Sequence, residues 1–185
     1  MQEQSQFALT LTHYLALGTL IGAIVVTLFA LAVSYFSYTN KKNSFFPLVS
    51  TCIFPLGFFV ALGGTFLTLL YSEVLHYAPC DLCWYQRIFL YPQIFLFGYA
   101  WYKKDRNILS YTFLLSMVGL VIALYHHILQ MGYDVYKPCS TAPFAVDCSK
   151  PSFIEFGFVT FPFMAVVLFG FLSVAVASAI QFGKK

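Results

Sequence analysis

The sequence predicts an all-α integral membrane protein with five transmembrane helices. Three observations predict it. Of its 185 residues 60% are apolar and only 9% charged, where a soluble domain carries about a quarter of charged residues. The mean hydropathy of +0.78 comes from five apolar runs, each close to or above the length of about 20 residues that crosses the hydrocarbon core as a helix. None of these runs alternates apolar with polar positions, as the strands of a transmembrane barrel do. A soluble globule, a disordered tail and a nucleic-acid binder are excluded by the same composition, and a net charge of +3 is no basic patch.

The first run, Tyr14 to Tyr38, has features of a signal peptide, with Ala30-Leu31-Ala32 resembling a small-residue cleavage site. However, no Lys or Arg precedes Lys41, and the run exceeds the usual signal core of about 7–15 residues. It therefore reads as a helix that stays. The second run, Leu48 to Leu75, contains Pro55, expected to bend it, and Gly57, Gly63 and Gly64, expected to let neighbours approach closely. The third, Trp84 to Tyr102, carries a second bend-former, Pro92. The fourth is Ile108 to Met131 and the fifth Phe158 to Phe182. Tyr71, Tyr77, Trp84, Tyr125 and Tyr133 are expected at one membrane interface, with Tyr38, Trp101 and Tyr102 at the other.

Orientation follows from the basic residues. Lys41, Lys42, Lys103, Lys104, Arg106, Lys184 and Lys185 fall on one side, seven of the ten, leaving Arg87, Lys137 and Lys150 on the other. The positive-inside rule then puts the N-terminus outside and the C-terminus in the cytoplasm, as an odd number of spans requires. Six of the seven acids, all but Asp105, lie outward. No charge falls near a midplane: Glu73 and Arg87 sit near outer ends, where long side chains snorkel. Pumps, voltage sensors and ion carriers normally need ionisable groups deeper than this.

The same topology sends four of the five cysteines outward, to a compartment where disulfides persist. Cys80 and Cys83 form a C-x-x-C in the loop between the second and third spans, and Cys139 and Cys148 lie between the fourth and fifth. Cys52, alone inside the second span, reads as a small buried apolar residue. Pro79 precedes the C-x-x-C, which stands at a helix start, where free N–H groups and the dipole favour a thiolate, expected at Cys83. Arg87 lies one turn further on the same face. It reads either as a fixed cation for that thiolate, or for the acceptor of its electrons, or as an interfacial side chain on lipid phosphate. The second pair encloses eight residues. Closing such a loop is worth about 2.5–3 kcal/mol, or roughly 60 mV for a two-electron couple, which does not separate a permanent staple from an exchangeable bond. His126 and His127 close the fourth span on the same side, as interfacial anchors or as donors of a hydrogen bond or proton to an acceptor at the bundle's edge. C-x-x-C followed by C-x8-C is not the paired-knuckle spacing of structural zinc sites, so no metal is expected.

The run Cys80-Asp81-Leu82-Cys83-Trp84-Tyr85-Gln86-Arg87, continuing to Tyr91-Pro92, resembles the signature of the DsbB family of membrane disulfide bond formation proteins, and within it the BdbC-like branch. The resemblance covers about residues 45–182, including the second Cys pair and the segment from Phe156-Gly157-Phe158 to Pro162. It implies a four-helix transmembrane bundle over residues 45–182, preceded by residues 1–44 with an extra transmembrane helix and followed by a cytoplasmic tail, 183–185. The implied activity is a protein-dithiol:quinone oxidoreductase of the bacterial cytoplasmic membrane. Cys80, Cys83, Cys139 and Cys148 would be its catalytic residues. A soluble thioredoxin-fold oxidase of the DsbA or BdbD kind would dock outside and attack Cys139, and the electrons would pass through Cys80–Cys83 to a quinone, ubiquinone or menaquinone, of the membrane pool. Arg87, Gln86, Cys83 and His126 would line the quinone site, His126 because His-x-x-x-Gln with Gln130 fits the family's pattern, with His127 as second choice. Two departures stand out: the extra first helix, and a loop between Cys139 and Cys148 much shorter than in better-known members. Three other readings are a vitamin-K-epoxide-reductase-like relay, a scaffold with two structural disulfides, and a metal-binding protein. The Trp84-x-Gln86-Arg87 continuation favours the DsbB type over the first.

Overall fold

The computed structural model describes residues 2–39, 45–133 and 146–183. Five helices account for most of them: α1 (Gln2–Thr39), α2 (Phe45–Leu69), α3 (Asp81–Lys103), α4 (Ile108–Gln130) and α5 (Phe161–Gly183). Leu70–Val74 continue α2 as a π-helical turn. Among the described residues the one strand-like feature is an isolated antiparallel bridge between Glu155 and Val159. By length and composition α1, α2 with its π-turn, α4 and α5 can each cross a membrane. Helix α3 matches α4 in length at 23 residues, but Asp81, Gln86, Arg87 and Gln93 make it more polar.

Helices α2, α3, α4 and α5 pack in a closed ring, each against its two neighbours, while α1 lies outside the ring against α5. The core is three clusters stacked along the bundle. Ile53, Phe97, Leu109 and Leu172 are among the residues that fill one end. Ala61, Leu90, Ala123 and Phe169 occupy the middle, and Cys80, Leu82, Leu129 and Cys148 close the other end. Small residues set the helix spacing: a Cβ at Gly57 would stand 2.6 Å from the Phe97 ring, and one at Gly119 would stand 2.5 Å from that of Phe169. Gly64 meets the tip of Leu168 in the same way, but Gly63 faces open space and serves no close approach.

Several positions differ from the sequence-based expectation. Helix α1 begins twelve residues before Tyr14, because Gln2–His13 contains no helix breaker and Thr10 and Thr12 turn their hydroxyls back onto the carbonyls of Gln6 and Ala8. Helix α5 starts three residues after Phe158, since Phe156 and Gly157 take positive φ (52° and 81°) in the turn that the Glu155–Val159 bridge closes. Cys52 faces outward from the bundle, where lipid accepts a small apolar side chain as readily as a core does. Tyr71 is buried, with its ring against Phe161 and Tyr77, so it is no interfacial anchor. Cys139, Lys137, Lys41, Lys42, Lys184 and Lys185 lie outside the described residues.

Candidate functional site

The site begins with the start of α3. Pro79 ends the preceding loop, Cys80 takes the extended N-cap conformation (φ −77°, ψ 172°), and the Trp84 amide donates to the Cys80 carbonyl at 3.1 Å to close the first turn. Asp81 in that turn complements the positive end of the dipole. With Cys80 as N-cap, Cys83 falls three residues into the helix start, and the spacing brings both sulfurs to one side, 3.0 Å apart. Both are free thiols. Cys148 is buried beside them and disulfide-bonded.

Helix α4 ends at the same place and delivers His126, whose side chain is wholly buried. Its Nε2 lies 3.6 Å from Cys80 Sγ and 3.2 Å from the Cys148 carbonyl oxygen. Gln86 Nε2 donates to Nδ1 at 3.1 Å, which leaves the imidazole proton on Nε2, the nitrogen that faces the sulfur. Gln130 stands 3.3 Å from the same Nε2; with its amide turned over, Oε1 joins the Cys148 carbonyl and the Cys80 sulfur as an acceptor facing that one N–H. His127 turns the other way, to the Thr160 hydroxyl at 3.2 Å and the ring of Phe163.

The two thiols divide the charge unequally. Cys80 is pulled down to about 4, chiefly because the Cys83 thiol donates to its sulfur; burial opposes this, and His126 assists it. Cys83 is pushed up because it holds the shared proton and is desolvated, with Arg87 giving a smaller pull downward. The hydrogen bond between them favours negative charge on Cys80, where the sequence reading expected it on Cys83. Cys80 is the N-cap residue but its side chain makes no capping hydrogen bond, so it is the Cys83 thiol first, and His126 after it, that favour charge there.

Arg87 does not snorkel to lipid phosphate. It is only 7% exposed, donates to the Thr68 carbonyl on α2 at 3.0 Å and lies 5.1 Å over the Trp84 ring. Together with Cys83, Gln86, Tyr71, Phe161 and Leu168 it lines a largely apolar cavity of about 170 Å³ between α2, α3 and α5. An apolar cavity of about 150 Å³ is known to take up one benzene ring, so this one has room for a single six-membered ring, with the cation of Arg87 on its wall. Cys80 does not reach this cavity; its neighbours are His126 and Cys148. The two sulfurs touch, but only Cys83 lines the cavity. Cys80, Cys83 and His126 also bring three soft donor atoms within 4.8 Å of one another, the closest approach to a metal-ligand set among the described residues.

The C-x-x-C spacing, Arg87 and His126 were legible in the sequence. The Thr68 carbonyl, the Cys148 carbonyl and the ring of Tyr71 were not, because a main-chain acceptor or an aromatic in an apolar run carries no local signal.

A buried dithiol at the end of a transmembrane bundle, set between a disulfide-bonded cysteine and an apolar cavity edged by a cation, defines a membrane thiol-redox protein. The particular kind is set by comparison: residues 50–179 match the family of disulfide bond formation protein DsbB, and the chain belongs to that family. The SPbeta prophage-derived disulfide bond formation protein B of Bacillus subtilis is 41% identical over 119 residues, 64% of this chain and 79% of that protein. A probable disulfide formation protein C 1 of Bacillus anthracis is 39% identical over 131 residues, 69% of this chain and 92% of its own length. Disulfide bond formation protein C of Bacillus subtilis is 36% identical over 112 residues, 60% of this chain and 79% of its own. No solved structure matches significantly. The chain is a DsbB-like membrane protein of disulfide bond formation, and α1 precedes the matched region.

Proposed function

We propose that this chain is a protein-dithiol:quinone oxidoreductase that reoxidises a soluble thioredoxin-fold oxidase of the DsbA or BdbD kind. The observation that carries the reading is the placement of Cys80 beside Cys148 and of Cys83 on the cavity wall with Arg87. One dithiol then bridges the point where electrons arrive and the point where they leave.

The exchange balances as follows. A thiolate of the reduced partner attacks Cys139 of the Cys139–Cys148 disulfide and displaces Cys148; the partner's second thiol then closes its own disulfide and frees Cys139. The Cys148 sulfur attacks Cys80 of an oxidised Cys80–Cys83 pair and displaces Cys83, and Cys139 returns to Cys148, leaving Cys80 and Cys83 as a dithiol. A bonded Cys148 next to free Cys80 and Cys83 thiols fits the state after this transfer. A quinone, when bound, supplies the acceptor for two electrons and two protons. Arg87 offers an oxygen in the cavity its N–H groups, Cys83 presents its sulfur from the same wall, and the rings of Tyr71 and Phe161 keep water out. His126, with its proton on the nitrogen facing Cys80, steadies the thiolate there and gives up or takes a proton as the pair opens and closes. The site end of the bundle faces outward from the bacterial cytoplasmic membrane, with the C-terminus in the cytoplasm.

The test uses the full chain in detergent with a reduced thioredoxin-fold partner, following quinone absorbance. Cys83→Ser abolishes quinone reduction and Arg87→Ala lowers it by about a hundredfold. A partner lacking its resolving cysteine is trapped as a mixed disulfide on Cys139. Normal quinone reduction without Cys80 and Cys83, or stoichiometric zinc that is released on thiol oxidation, overturns the proposal.

A further inference from the structure

Helix α1 lies outside the residues shared with the family, and only 6% of its most apolar stretch is fully buried. Its fully buried residues, Ala8, Thr12 and Ala16, four apart, form one inward stripe in the half next to the cavity, while Phe29 packs more loosely against the core at the other end. Thr12 is 4% exposed, and its hydroxyl donates to the Ala8 carbonyl at 2.7 Å. A hydroxyl has one proton, so the Tyr71 phenol, 2.8 Å away, is the donor to Thr12 Oγ1. Tyr71 stands in the π-turn, a local distortion common at functional sites. Its ring meets Phe161 edge-on at 4.7 Å, and both line the cavity. Leu15, three residues after Thr12, lines it as well.

We propose that α1 is the specificity wall of the acceptor cavity. Thr12 is a positioning residue that fixes the ring of Tyr71, and Leu15 covers the flank, so the two set how tightly a quinone head group binds and how large a ring is admitted. The inference rests on the quinone reading above. A bond that served only to moor α1 would affect stability and leave ligand preference alone.

The experiment titrates decylubiquinone (one ring) and menadione (two fused rings) calorimetrically into the full oxidised chain in detergent, where no turnover occurs. Steady-state kinetics and partner exchange without quinone are measured in parallel. Thr12→Val and Tyr71→Phe raise Kd and KM for quinone by roughly three- to tenfold, the range for one buried hydrogen bond, with kcat at saturation retained. Thr12→Ser restores both constants. Leu15→Ala shifts the preference toward menadione. Unchanged Kd in Thr12→Val together with unchanged preference in Leu15→Ala overturns the wall, as does loss of kcat and exchange in equal measure, while quinone binding by the parent chain still stands. If the parent chain binds neither quinone, the acceptor reading itself fails. Should Thr12→Val not fold, the Leu15→Ala preference and the Tyr71→Phe constants decide.

Discussion

Cys80 carries the chemistry of the site at the scale of single residues. Its thiol is drawn down to about 4, first by the hydrogen bond from Cys83. An acid with a lowered pKa is ionised above that value and loses its charge as pH falls through it. Alkylation of Cys80 in the reduced chain is therefore expected to hold constant from neutral pH down to about 5 and to fall near 4, whereas an ordinary thiol declines below about 8.5. Replacing Cys83 by Ala removes the largest cause, so the midpoint must move upward; mass spectrometry of labelled peptides across pH reads both. An unmoved midpoint would show that His126 or the helix start, not Cys83, holds the charge. Which cysteines and which cation matter could be seen in C-x-x-C-W-x-Q-R, since spacing alone puts them on one turn. That the charge settles on Cys80 could not, because it depends on a proton shared over 3.0 Å and on a histidine forty-six residues away.

Among the helices, the sequence located all five by their apolar runs, yet it misjudged what several ends do. The start of α1 is extended by polar residues that hydropathy discounts, and the π-turn after Leu69 is invisible to any count of apolar residues. Glycine gave a mixed signal: three in α2 look alike in sequence, but only two meet a neighbour. That difference is measurable. Gly57→Ala and Gly119→Ala push a Cβ into rings packed between helices and should cost about 1–3 kcal/mol. Gly64→Ala displaces only the tip of Leu168 and costs less. Gly63→Ala meets nothing and should stabilise by up to about 1 kcal/mol through helix propensity. Thermal unfolding in detergent checks the order; a costly Gly63→Ala would contradict the packing described.

For the whole molecule, the sorting of charge and the stacking of clusters agree. Lys103 and Arg106 lie near the cluster opposite the cysteines, and Arg106 is tied there by its bond to the Ala179 carbonyl. A phosphatase active only outside the cytoplasm, fused after Gly183, should be inactive, and one inserted between Tyr133 and Val146 active; the reverse pattern would invert the orientation. The ring of four helices was legible from span count and resemblance, but the seat of α1 was not, since it rests on scattered contacts: Thr12 with Tyr71, His13 with Glu155 and Phe156, and Phe29 against the core. The placement of the two tryptophans has an optical consequence. Trp84 lies under the Arg87 cation, while Trp101 meets the rings of Phe58 and Phe59 tilted and edge-on, about 25 Å further along α3. The chain thus carries one emitter in contact with the cation that edges the cavity, and a second, remote enough to act as the reference against which its light is read.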